Sequence, residues 1–242
     1  MFANNFDGTD PESYMANWEC KQAPRPETQW QGNNMPRYCS EEYDALVAEM
    51  RQMVDDGYDA IKFKVGVEGG MNPRRDRERV RKVREAVGEN VRLLIDANNC
   101  WDAATAAQFA NTIREYDILL FEEPVLADDI PGLARFRQAT DIPLATGEHE
   151  YTRYGFRKLI EERTLDILQP DVMWVGGLTE LLKIAAHAAA YDIPVVPHGS
   201  GPYSYQFIAM SQACGYHPST LVKMFVERTD AEDEIDLLSA AV

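Results

Sequence analysis

The sequence predicts a parallel α/β fold, a TIM-type (β/α) barrel of (β/α)7β form. Short apolar runs alternate strictly with segments of helical periodicity, and the runs recur at intervals of roughly 23 to 31 residues. The charged residues gather where the runs end. Strict alternation requires parallel strands joined by helical crossovers, which leaves a closed barrel or an open doubly wound sheet. No G-x-G-x-x-G or P-loop follows any run, and "MFANN" at the start is a candidate eighth strand; both favour the barrel.

Taken in order, residues 1–39 read as that first strand followed by an irregular loop rich in Pro and Gln, "KQAPRPETQWQGNNMPRY". Residues 40–225 read as the barrel. They open with the helix "SEEYDALVAEMRQMVDDG", with Ser40 as its N-cap. Six β-type runs follow, "AIKFKVG", "VRLLIDAN", "ILLFEEP", "IPLATGE", "LDILQPD" and "IPVVPHG", and "TLVKMFV" is a less clear seventh. Between the fifth and sixth runs lies "LTELLKIAAHAAAYD", with apolar residues three and four apart. Residues 226–242 read as an acidic, solvated tail.

A chain of 242 residues with 45% hydrophobic residues can build a full core. Its net charge of -16, from 24 basic against 40 acidic residues, argues against nucleic acid and against an anionic membrane surface. Cys20, Cys39, Cys100 and Cys214 form no C-x-x-C pair, so they are expected to be reduced thiols in a cytoplasmic protein. No run approaches the ~18 apolar residues of a membrane helix.

The ends of the runs carry the candidate site. Asp96, Glu122 and Glu148 are spaced 26 residues apart, one βα unit each, so they are expected to project from three successive strands. Three such acids at one rim cannot all stay ionised without a cation, and hard oxygen donors point to Mg²⁺, with Mn²⁺ as the substitute. Singly, each also reads as an exposed loop acid. Successive strand residues face opposite ways, so Glu122 and Glu123 cannot both enter one site. The spacing selects Glu122, leaving Glu123, with Asn98 and His149, as supporting or substrate-contacting residues.

Lys62 and Lys64 share one face of their run, opposite Ile61, Phe63 and Val65. Inside a barrel and near a dication, a lysine's pKa is expected to fall, which makes it a candidate base; on an edge strand the pair would be surface residues. Asp171 and His198 lie one unit apart, the arrangement in which a carboxylate orients an imidazole.

With "KFK", "IDAN", "FEEP", "GEH", "QPD" and "PHGSG" in place between about residues 57 and 212, the chain resembles the enolase superfamily, within it the mandelate racemase group. The stretches "GEHEYTRYGFRKLIE", "DILQPDVMWVGGLTE" and "VVPHGSGPYSY" are most similar to the acid-sugar dehydratases of the rhamnonate dehydratase type. The resemblance implies abstraction of a proton α to a carboxylate, an enediolate, and loss of water to a 2-keto-3-deoxy acid. It implies that Asp96, Glu122 and Glu148 hold the metal, that Lys64 is a base assisted by Lys62, and that His198, oriented by Asp171, is the other base or the acid. A racemase or epimerase of the same superfamily is the alternative. The cycloisomerase branch fits less well, because "QPD" stands where that branch carries a lysine.

Two features depart from the group's pattern. The chain is expected to lack the N-terminal α+β capping domain, which makes a homo-oligomer, a separate cap polypeptide or a non-catalytic barrel scaffold the expected contexts. Where a glutamate is expected on the eighth strand the sequence reads "GYHPSTL", with Pro218 near the place and Glu227 too late.

Overall fold

In β1 (Ala60–Lys64) burial alternates residue by residue: Ile61 and Phe63 are 3% and 2% exposed, while Ala60, Lys62 and Lys64 are half-buried. That strand is the first of a five-stranded parallel sheet with β2 (Arg92–Asp96), β3 (Ile118–Glu122), β4 (Leu144–Thr146) and β5 (Ile167–Leu168). The computed structural model describes residues 42–199, 203–204 and 206–208. "MFANN", Ser40, "TLVKMFV", Pro218, Glu227 and the acidic tail lie outside the described residues.

The strand order is β1-β2-β3-β4-β5, each strand hydrogen-bonded to the next in sequence. An open doubly wound sheet reverses direction at a central strand; sequential order is that of a barrel wall. Helices α1 (Glu42–Asp55), α2 (Pro73–Val87), α3 (Ala103–Thr112), α4 (Ile130–Ala139), α5 (Thr152–Glu161) and α6 (Leu178–Ala189) alternate with the strands. Their starts are written locally. The Asn72 side chain accepts from Arg75 N ahead of Pro73, Asp102 accepts from Ala104 N and Thr105 N, and Asp129 accepts from Gly132 N.

The apolar core lies between strands and helices. Phe121, on the outward face of β3, meets the rings of Trp101, Phe109 and Phe136 at centroid distances of 6.1, 5.9 and 5.5 Å. Each such buried ring contributes about 1.5–3 kcal/mol; the inward face adds the buried Leu94 and Leu120 beside Lys62, below the charged row at the strand ends.

One expected strand is reduced. Among the described residues "IPVVPHG" makes two isolated parallel bridges, Leu168 to Val195 and Asp171 to His198. Pro170 has no N–H to donate to Val196 O, so the ladder breaks between the two bridges; Val196 N and His198 N still bond to Leu168 O and Pro170 O at 2.8 and 3.0 Å. Among the described residues no helix is long and apolar enough to cross a membrane.

Candidate active site

Register assembles the first half of the site. Lys64 on β1 pairs with Asp96 on β2, and Asp96 pairs with Glu122 on β3. Directly paired residues share a face, so these three side chains stand in one row inside the wall. Asp96 and Glu122 are almost wholly buried. The Lys64 ammonium donates to Asp96 Oδ2 and to Asn98 Oδ1, and Lys62 Nζ donates to Glu122 Oε2 at 2.5 Å. Both half-buried lysines therefore reach carboxylates of the inward row, from the terminal strand of the described sheet.

The expected equal spacing does not describe Glu148. The register partner of Glu122 on β4 is Ala145, and β4 ends at Thr146. Gly147 then turns at φ 134°, where an added Cβ would lie 3.0 Å from Phe156, and Glu148 enters the site from the turn beyond the strand. The equal count of 26 also absorbs an irregularity on the other side, where the register between β2 and β3 shifts at Leu93 and Leu94.

The second half of the site joins that turn to the isolated Asp171–His198 bridge. His198 Nε2 lies 3.1 Å from Glu148 Oε2, and His198 Nδ1 donates to Asp171 Oδ2 at 2.9 Å. Asp171 is itself fixed, since its Oδ1 accepts from Met173 N at 2.8 Å. Glu123 is fully buried but turned out of the Glu122 row by a positive φ of 44°. Its carboxylate accepts from Asn99 Nδ2 at 2.7 Å and meets His149 Nδ1 at 2.6 Å.

Charge and burial set the protonation pattern. Burial pushes the Glu122 carboxyl up, but Lys62, Gln169 and Lys64 together outweigh it and hold the group down at about 2. Burial and the charge of Glu122 push Asp96 up. Burial lifts Glu148 to about 7 against the pull of His198. For His198, burial favours the neutral ring, yet the Asp171 hydrogen bond and the Glu148 charge prevail and raise its pKa. His149 is raised by its hydrogen bond to Glu123. The lowering expected of a lysine is one beside a dication; with the carboxylates alone, burial acts on Lys62 in that direction, but Glu122 and Asp96 outweigh it and the pKa rises. A dication on those carboxylates is what would reverse the balance.

Two sets of groups bring ligand atoms within 4.8 Å of one another: Glu122, Glu148 and His198, and Glu123, Glu148 and His149. Asp96 stands beside Glu122 with one oxygen engaged by Lys64. The buried Glu122 Oε1 has no hydrogen-bond partner among the described residues, and an orphaned carboxylate oxygen in a cluster of hard donors fits a Mg²⁺-class cation. Sequence reasoning missed Gln169, whose Nε2 donates to Glu122 Oε2 at 2.9 Å. Its position two residues before Asp171, at the end of an apolar run, was the available signal.

Residues 45–239 match the family model described as enolase C-terminal domain-like. The chain belongs to this family. The enolase-like chain is 48% identical over 136 residues to L-rhamnonate dehydratase of Saccharopolyspora erythraea, covering 54% of this chain and 34% of that protein. It is 32% identical over 200 residues to arabinonate dehydratase of Saccharolobus solfataricus, covering 82% of this chain and 52% of the relative. Among solved structures, rhamnonate dehydratase from Gibberella zeae complexed with Mg aligns with a TM-score of 0.60 at 46% identity, covering 64% of this chain and 39% of that one. The enolase-like chain thus spans about half or less of the length of these relatives.

Proposed function

We propose that this chain carries the catalytic barrel of a Mg²⁺-dependent acid-sugar dehydratase, one that removes a proton α to a carboxylate and then loses water to give a 2-keto-3-deoxy acid. The observation that carries the reading is the single inward row of Lys64, Asp96 and Glu122 facing the Glu148–His198–Asp171 chain. Relatives named rhamnonate and arabinonate dehydratase support the substrate class.

Asp96, Glu122 and Glu148 would hold the cation, which supplies positive charge to the substrate carboxylate as negative charge develops there. The remaining steps belong to side chains. The Lys64 Nζ, next to Asp96 and Asn98, takes the α-proton. Lys62, tied to Glu122, keeps a second positive charge beside the same row. His198 gives the proton from Nε2 to the departing hydroxyl, while Asp171 on Nδ1 fixes the ring and stabilises its charged form.

The test incubates the full chain with Mg²⁺ and a sugar-acid library that includes L-rhamnonate, with keto-acid product as the readout. Product is expected, and Lys64→Ala or His198→Asn is expected to abolish it. No product from any member of the library at saturating Mg²⁺ rejects the reading for this chain. A Lys and a His at opposite ends of the carboxylate cluster also suit a two-base racemisation. Exchange of the α-proton for solvent deuterium without loss of water identifies that outcome by NMR.

A further inference from the structure

Two charged residues outside the proposed chemistry are completely buried: Asp76 and Arg79 of α2, each at 0% exposure. They lie on the stripe that continues as Val80 and Val83, the face that α2 buries. Apolar side chains would fill that stripe without stripping two charges of water.

Both side chains hold the same short piece of backbone. Arg79 Nη2 donates to Lys64 O at 3.1 Å. The Asp76 carboxyl accepts from Val67 N, with its two oxygens at 3.1 and 3.3 Å, and from the Gly66 backbone. This is the place where the sheet releases the chain. Val65 N makes a ladder bond to Asp96 O at 2.8 Å, and the next residue, Gly66, turns at φ 80°. Glu68, Gly69 and Gly70 are left-handed as well. From the other flank Trp101 Nε1 donates to Gly70 O at 2.8 Å.

We propose that Asp76 and Arg79 are positioning residues, which lock the backbone of residues 64–67 from the helical layer and thereby fix the point from which the Lys64 ammonium reaches Asp96 and Asn98. The inference rests on the reading of Lys64 as the base. A lysine side chain is long and flexible, so its head is placed only as well as its Cα, and a displacement of about 1 Å at a reacting group costs on the order of 100-fold in rate.

The experiment uses Arg79→Lys and Asp76→Asn in the full chain, with Val83→Ala as a core truncation on the same helix. Lys64 acetylation by acetic anhydride is followed by mass spectrometry relative to the exposed Lys158 of α5. Turnover of L-rhamnonate and far-UV circular dichroism are recorded in parallel. Both charge variants are expected to keep their helical signal and to change the Lys64-to-Lys158 ratio by about threefold or more, while Val83→Ala leaves it unchanged. Where the parent turns over, kcat falls by about 100-fold and KM moves by less than about threefold. An unchanged ratio in the folded charge variants overturns the proposal, as does an equal change in Val83→Ala. A parent with no turnover but a ratio that shifts only in the charge variants rejects the dehydratase reading and leaves the positioning role standing.

Discussion

The two arcs of the rim solve the same problem differently. Along β1 to β3, Lys62, Lys64, Asp96 and Glu122 sit on strands, locked in register, with ion pairs between neighbouring strands. Beyond β4, Glu148 and His149 sit on a turn and Asp171 and His198 on an isolated parallel bridge; His198 hydrogen-bonds Asp171 and lies 3.1 Å from Glu148. The difference follows from the backbone. Gly147 ends β4, and Pro170, two residues past β5, breaks the pairing with the next run into isolated bridges. Charges on a continuous ladder cannot move away from one another, so each needs its partner; groups on a turn or an isolated bridge can adjust. Substitutions in the first arc should therefore cost stability, and those in the second should cost chemistry alone.

The largest expected effect lies in the brace behind the first arc. Burial pushes the Asp76 carboxyl up to about 7, against the backbone N–H groups of Val67 and Gly66 that pull it down. The folded chain then keeps a proton that the unfolded chain releases near pH 4. Its contribution to stability is greatest below about pH 4, declines through the window to about pH 7 and is level above it, a change on the order of 4 kcal/mol. Asp76→Asn cannot titrate and should lack that slope. Urea unfolding at pH 5 and pH 8 checks this as a difference between parent and variant, because Glu49, also raised to about 7 by burial, titrates in both. Equal pH slopes in the two chains reject it.

Next in size is Glu122→Gln, which leaves Lys62 without its ion-pair partner. Breaking a buried pair costs about 3–5 kcal/mol, and the low end applies because the Lys62 side chain keeps 24% exposure. His198→Asn, in the second arc, should stay within about 1 kcal/mol of the parent. Urea midpoints compare the two directly, and calorimetry should show that Mg²⁺ heat is lost in Glu122→Gln. Equal destabilisation by both variants would remove the distinction between the arcs. A smaller loss, about 2 kcal/mol, is expected for Gly66→Ala, since φ is 80° and the new Cβ would stand 2.3 Å from Cys100 Sγ. Thermal unfolding measures it; a change within about 0.5 kcal/mol would mean the turn relaxes freely.

The first arc was the more legible in sequence, for a physical reason. Period-two alternation in "AIKFK" survives as inward lysines against buried Ile61 and Phe63, because a strand offers only two faces. Spacing along the chain was a weaker guide to the second arc. Glu148 shares the count of 26 with its predecessors, but a register shift at Leu93 and Leu94 and the early end of β4 mean that count and register disagree. The Asp76 and Arg79 brace was hidden for another reason. "PRRDRERVRKVREAV" is so charged that two buried members do not stand out, and only their place on the Val80 and Val83 stripe distinguishes them. Gln169 needed tertiary contact to be seen, because its partner Glu122 lies two strands away.

The smallest effect tests whether the second arc is as adjustable as its turns imply. Tyr151 and Trp174 lie parallel within 5° with centroids 6.1 Å apart, and they keep 57% and 47% exposure. His149 stands edge-on to the same indole at 5.8 Å. Tyr151→Ala removes a ring that is more than half exposed, so the loss should be about 0.5 kcal/mol or less, a shift of about 1–3 °C in Tm. His149 keeps its contact with the buried Glu123, and His198 its contacts with Asp171 and Glu148, so none of these is lost with the ring. A loss near 2 kcal/mol in thermal unfolding would instead show that the aromatic pair braces its arc as Asp76 and Arg79 brace theirs, and the contrast between register and turn would no longer separate stability from chemistry.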